Sequence, residues 1–178
     1  PDASPSKWHL AHTTWFFETL VLLPHAAGYR PLDARWAPLF NSYYEALGPR
    51  HPRQQRGLLS RPSLDEVRAY RQQVDAAMLA FIDSTDTARW AAAAGTLQLG
   101  LHHEQQHQEL LLTDIRHALS LNPLLPAYAP APAAGWPSPA RAAPLRWAQW
   151  GDGPVPVGHE AARNAGFAFD NESPRHTV

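Results

Sequence analysis

The sequence contains no cysteine. That excludes a disulfide-stapled scaffold and every thiolate metal site, so a transition metal has to be held by histidine and carboxylate. Net charge is nearly lacking too, at −1 with the histidines neutral, which argues against a general polyanion binder and against nucleic acid as a partner. No long hydrophobic run is present either. The longest apolar stretch, 15–23, is interrupted by Glu18 and Thr19 and is too short to span a bilayer, and no basic segment with a cleavage site precedes it. No membrane partner is expected, and a soluble cytoplasmic protein is. What the chain does have is 178 residues, 44% of them hydrophobic, enough to bury a core in one domain or in one domain with part of another. It begins without Met and stops at Val178 in mid-pattern, and is therefore expected to be a piece of something longer.

The chain is organised around His102-His103-Glu104-Gln105-Gln106-His107-Gln108-Glu109-Leu110, a polar block inside a Leu-rich, helix-forming stretch. If 96–119 is one helix, His103 and His107 lie on one face with Cβ atoms about 5–6 Å apart, close enough to converge on one ion, while His102 points elsewhere. The plain alternative is a solvated helix face. It weakens because a second histidine group lies near the start of the chain.

There, Ser4 followed by Pro5 reads as an N-cap and first helical residue. Trp8, Ala11, Trp15 and Leu22 then recur at helical spacing until Pro24 ends the run. His12 projects from this aromatic, inward face, with His9 one turn earlier on much the same side. A lone histidine on such a face is more often a core residue with its hydrogen bonds satisfied. The pair on the later helix, however, wants a third ligand.

Residues 25–62 read as a long irregular connection with a helical piece over 38–47. Its most basic part, Arg50-His51-Pro52-Arg53-Gln54-Gln55-Arg56 and then Arg61, is either a solvated loop or a carboxylate clamp, since guanidinium forks pair with carboxylates in bidentate geometry. Ser63-Leu64-Asp65-Glu66 is a capping box that opens a helix ending near Asp83, whose stripe of Leu64, Val67, Val74, Met78 and Phe81 is assigned to core packing. The last helical region starts at Asp86 or Thr87, is open to interruption at Gly95 and Gly100, and closes at Asn122-Pro123. The face of His103 and His107 also carries Leu99, Gln106, Leu110 and Asp114, and polar groups on an inward face suggest a pocket inside a bundle. Over 123–144 the composition changes to Ala and Pro, with seven prolines, as in an extended linker. Beyond it, 147–150, 155–158, 167–169 and 176–178 read as short strands opening a second domain.

His103-Glu104-x-x-His107 also fits the zinc-peptidase signature, in which the glutamate activates water. The extended form with Gly three residues on is absent, since Leu110 stands there, and Glu109 points differently from His107. A site of His12, His103 and His107 is therefore preferred, and it leaves open positions on the ion for substrate or oxygen.

Three stretches carry a resemblance: Ser4-Pro5-x-Lys7-Trp8-His9-Leu10-Ala11-His12-Thr13-Thr14-Trp15-Phe16-Phe17-Glu18, then His103 to Leu110, then Phe169-Asp170-Asn171-Glu172-x-Pro174-Arg175-His176. In type, order and spacing they resemble the ergothioneine-biosynthesis sulfoxide synthase family, with its ovothiol and selenoneine relatives. The resemblance implies a mainly α chain: a DinB-type four-helix bundle over 1–122, a Pro/Ala-rich linker over 123–143, and over 144–178 the start of an α+β domain of the formylglycine-generating-enzyme type. It implies iron(II) on His12, His103 and His107, contact of Gln106 with the imidazole substrate, and binding of the donor's carboxylates by Arg53 and Arg56. The implied partners are hercynine (trimethylhistidine), a thiol or selenol donor, and O2. The implied enzyme is an oxidoreductase that forms a C–S or C–Se bond, and the resemblance places no catalytic acid or base on these residues. Two other readings stand beside it: a DinB-type zinc- or nickel-dependent thiol transferase or hydrolase, and a bundle that serves only as a binding module.

Overall fold

A computed structural model describes residues 3–42, 48–132, 135 and 143–178. These cluster into two units, Pro1–Pro130 and Ala131–Val178. The first is helical, built on α1 (Ser6–Phe17), α2 (Leu23–His25), α3 (Ala37–Phe40), α4 (Leu64–Ser84) and α5 (Thr87–Ser120).

The N-cap of α1 is Pro5 and not Ser4. Ser4 is engaged elsewhere: its N–H donates to Asp114 Oδ2 at 2.8 Å and its hydroxyl accepts from Arg56 at 3.2 Å. Nor does the run end at Pro24. The backbone passes through the wider π-helical turns of Glu18–Leu22 straight into α2, with Pro24 in its first turn. A wider turn relieves the clash between a proline ring and the carbonyl one turn back that breaks an ordinary helix. The same segment buries Glu18, whose carboxylate accepts from Tyr29 Oη at 2.6 Å and Tyr70 Oη at 2.5 Å. Burial and the Glu18 charge raise the pKa of both phenols, so they stay protonated as donors.

The helical piece expected over 38–47 is realised as α3, preceded by a 3-10 turn at Ala34–Trp36, while 43–47 lie outside the described residues. The basic stretch is not wholly irregular, because Arg53–Leu58 forms a 3-10 turn. The capping box of α4 is closed in both directions, Ser63 N–H to Glu66 Oε2 at 2.6 Å and Glu66 N–H to Ser63 Oγ at 3.3 Å. Val67, Val74 and Phe81 of its expected stripe are buried together with Tyr70, whereas Leu64, in the first helical position, is 44% exposed.

Capped by Asp86, whose side chain accepts from Arg89 N–H at 2.8 Å, α5 runs through Gly95 and Gly100 without interruption. Glycine inside a helix costs about 1 kcal/mol relative to alanine, and at Gly100 close packing requires it. A Cβ there would lie 2.6 Å from Phe17 Cε1 and 2.9 Å from Phe16 Cε1. Gly100→Ala is therefore expected to lower stability by about 1–2 kcal/mol: overpacking costs about 1–3 kcal/mol and the gain in helix propensity only partly offsets it. Urea denaturation checks this, and an unchanged or raised midpoint would mean that the two rings move aside freely.

The core lies between α1 and α4, with Trp8, Trp15, Phe16, Val21, Leu22, Phe40, Val67 and Tyr70 nearly inaccessible. To this core α5 adds Ala93 and the partly buried Leu97 and Leu99. Its buried residues are Ala93, Gly100, His103, His107 and Asp114, so the side turned inward is small at one end and polar at the other.

In the second unit, β1 (Pro156–Val157) and β2 (His176–Thr177) pair antiparallel in the register Pro156↔Thr177 and Val157↔His176. Gly158, at φ +101°, permits the close return of the chain, since a Cβ would meet the carbonyl oxygens of Glu172 and Pro174 at 3.0 Å. Strands expected at 147–150 and 167–169 do not form. A strand exists through its partner, and none pairs with these segments among the described residues; Trp147 and Trp150 are 89% and 84% exposed. In the Pro/Ala-rich stretch, 133–134 and 136–142 lie outside the described residues.

Candidate metal centre

The pitch of the long helices places histidines opposite one another. His12 comes from the inward face of α1, and His103 and His107 from successive turns of α5, with one nitrogen from each ring within 4.8 Å of the others. The rings are locked by different means. His12 is 1% exposed and stacks on Trp8 (centroids 4.6 Å apart, 13° between planes) and Trp15 (5.7 Å, 14°). Its Nδ1–H donates to the Phe40 carbonyl at 2.5 Å. That proton leaves Nε2 as the bare nitrogen, and Nε2 stands 3.1 Å from His103 Nε2.

This spacing is informative. Two nitrogens each about 2.0–2.1 Å from one ion, at right-angled or tetrahedral geometry, lie about 2.8–3.4 Å apart. Two bare nitrogens cannot face each other at 3.1 Å without a proton or a cation between them. In either case His103 Nδ1 is buried without a hydrogen-bond partner, so the spacing, which matches that of two ligand nitrogens, carries the reading. The residues thus fit a cation bound by imidazole nitrogen.

Electrostatics prepare the rings for that task. Burial holds His103 at about 4, and burial with the neighbouring His103, His9 and Arg56 charges holds His107 at about 3. His12 is held well below the usual histidine value by burial and then by His103 and His107, against the opposing Phe40 hydrogen bond. All three are neutral, and so ready to ligate, at neutral pH.

Three neutral nitrogens with no thiolate or carboxylate suit iron, nickel, copper or zinc, and leave positions open for other ligands. Glu104, the glutamate of the peptidase signature, is turned away. Arg71 Nη1 holds its carboxylate at 3.1 Å and also donates to Thr13 Oγ1 at 3.1 Å. Glu104→Gln is accordingly expected to leave metal affinity unchanged and to cost at most about 1 kcal/mol of stability, as for a partly exposed ion pair. Metal titration and urea denaturation of the variant check both, and loss of metal binding would return Glu104 to the centre.

The remaining residues singled out in the sequence lie around this cluster. Arg56 is buried, its guanidinium 3.5 Å from the Trp8 ring centroid, on the ring that also stacks His12, and its Nη2 donates to Ser42 Oγ at 3.0 Å. Arg53 is half exposed, its Nη2 3.8 Å from Asp114 Oδ1. Both line an open cleft of about 390 Å³ with Arg50, His51 and Ser42. Gln106 and Leu110, both expected to face inward with His103 and His107, are exposed, Leu110 by 37%. His9 carries more than its sequence position signalled. Its Nδ1 lies 3.0 Å from His107 Nδ1, and its Nε2 lies 3.0 Å from Asp114 Oδ2. The signal was the spacing, His9 one turn before His12 and Asp114 two turns after His107.

A family model for the DinB superfamily matches residues 1–111. The chain belongs to the DinB superfamily. The match takes in α1, α4 and the part of α5 that carries His103 and His107, so all three histidines of the cluster lie within the DinB-like domain. DinB-like proteins are metal-binding, in keeping with this cluster. No curated protein matches the chain significantly. Among the described residues of this DinB protein, no helix is long and apolar enough to cross a membrane.

Proposed function

We propose that this chain carries the metal centre of a non-haem iron(II) synthase that uses O2 to join a thiol or selenol donor to the imidazole ring of hercynine, in ergothioneine or selenoneine biosynthesis. The observation that carries the reading is the all-imidazole cluster of His12, His103 and His107. Uncharged ligands leave an ion its full dipositive charge, which favours an anionic sulfur or selenium donor in an open position. Bound iron would supply a place where donor and dioxygen meet.

The chain's own residues supply the rest. The cleft lined by Arg53 and Arg56, with Arg50 and His51 beside them, suits the carboxylates of an amino-acid donor, because guanidinium groups pair with carboxylates through two parallel hydrogen bonds. Gln106, exposed one residue before His107, is assigned to the hercynine ring. The wall formed by Trp8, His12 and Trp15 holds the first ligand rigid, so little ordering is left to the moment of reaction. The likeness of the three motifs to the sulfoxide synthase family supports the same assignment.

Anaerobic titration of the full-length protein with Fe(II) and hercynine tests the proposal, followed by an oxygen pulse with cysteine, γ-glutamylcysteine or a selenosugar in turn and mass spectrometry of the product. An adduct on the imidazole ring is expected with one donor and none with His103→Ala. Stoichiometric iron with no adduct from any donor would overturn the synthase reading and favour a zinc- or nickel-dependent thiol transferase or hydrolase.

A further inference from the structure

We infer that His9 and Asp114 are positioning residues of the metal centre, a carboxylate–imidazole pair that holds His107 in the tautomer that presents Nε2 to the ion. The inference rests on the metal-centre reading and adds to it two residues that are not ligands.

The direction of the hydrogen bonds is set at the carboxylate, which only accepts. Asp114 is 8% exposed, and its Oδ2 receives Ser4 N–H at 2.8 Å and His9 Nε2–H at 3.0 Å. With its proton on Nε2, a neutral His9 carries a lone pair on Nδ1. That lone pair lies 3.0 Å from His107 Nδ1, so His107 donates there, and its Nε2 is left bare. The tautomer of a ligand is thereby fixed by a group two hydrogen bonds away. The Phe40 carbonyl does the same for His12 directly. The arrangement is also anchored mechanically: Asp114 sits two turns beyond His107 on the same helix, while His9 is in the first turns of α1 and Ser4 just precedes its N-cap, so the pair ties the two ligand-bearing helices together beside the site.

Outer partners of metal-bound histidines are generally worth about 10–100-fold in metal affinity. Near neutral pH, the full-length protein and its variants are titrated with Co(II) and followed by the visible ligand-field bands, with helical circular dichroism confirming the fold of each. His9→Leu is expected to weaken Co(II) binding about 10–100-fold and to alter the bands. His9→Gln, whose side-chain oxygen accepts from His107 Nδ1–H, is expected to stay within a few-fold of the parent. Asp114→Asn, of nearly the same shape, falls between them.

Unchanged affinity and bands in His9→Leu, with the parent protein binding one Co(II), would overturn the inference and leave the metal centre standing. Equal losses in both His9 variants would make His9 a ligand, and overturn it too. If His9→Leu does not fold, Asp114→Asn decides, and parental affinity and bands there count against the inference. A parent protein that binds no Co(II) removes the metal centre itself.

Discussion

His12→Ala is expected to weaken divalent-metal binding by well over about a hundredfold, beyond what the loss of an outer hydrogen-bond partner costs. His103 and His107 stand on one helix, and a pair of ligands from one element binds weakly unless a third closes the site. The geometry assigns that closure to His12 Nε2, 3.1 Å from His103 Nε2. The alanine variant also removes a ring that is 1% exposed and stacked on both Trp8 and Trp15. Such a deletion leaves a cavity, and large-to-small changes in a core cost about 2–5 kcal/mol. Metal loss in His12→Ala alone thus mixes ligation with packing, and His12→Gln separates them. Glutamine fills most of the same volume and its amide can donate to the Phe40 carbonyl, but it offers no imidazole nitrogen. Isothermal titration is expected to show His12→Gln folded and without tight metal binding. Tight binding with parental stoichiometry in both variants would show that the ligand set is different.

How far this centre could be read in the sequence depends on which residues carried periodicity. The i,i+4 spacing of His103 and His107 and the aromatic face bearing His12 were sufficient to name the cluster, because helical pitch alone determines which side chains share a face. The capping box at Ser63 and the buried Val67, Val74 and Phe81 were legible for the same reason. α5 was harder. Its fully buried residues are Ala93, Gly100, His103, His107 and Asp114, with Leu97 and Leu99 only partly buried beside them, too weak a hydrophobic stripe to read through, so glycine looked like a breaker where it is a seat for Phe16 and Phe17. Ser4 was misread as a cap because a serine before Pro5 satisfies the local rule, while its actual partners, Asp114 and Arg56, are 110 and 52 residues away. Short polar side chains choose between local and distant partners, and only the fold decides. The same holds for Glu104, whose motif suggested chemistry and whose partner is Arg71, 33 residues earlier on α4.

The metal-free protein is expected to lose stability steeply as pH falls from 6.5 to 5, and bound metal is expected to abolish most of that loss. In the unfolded chain, His103 takes up a proton near the ordinary histidine value of 6.5, whereas in the folded chain burial delays protonation to about 4. Between those limits the unfolded state binds more protons, so the free energy of unfolding falls with pH. The contribution is fully present above 6.5 and is lost by the time pH reaches the folded value of about 4. At about 1.4 kcal/mol per pH unit, His103 alone removes about 2 kcal/mol between pH 6.5 and 5. His107, held at about 3, and His12, also lowered, act in the same direction, in a window above the ordinary carboxylate range. Ligated imidazoles cannot take up a proton without releasing the ion, so metal defers the loss to lower pH, where ion and fold are lost together. Urea midpoints at intervals across this range, with and without Zn(II), test the account. A metal-free midpoint that stays flat down to pH 5 would mean that these imidazoles are solvated and not buried at a common centre, and with them the site would fall.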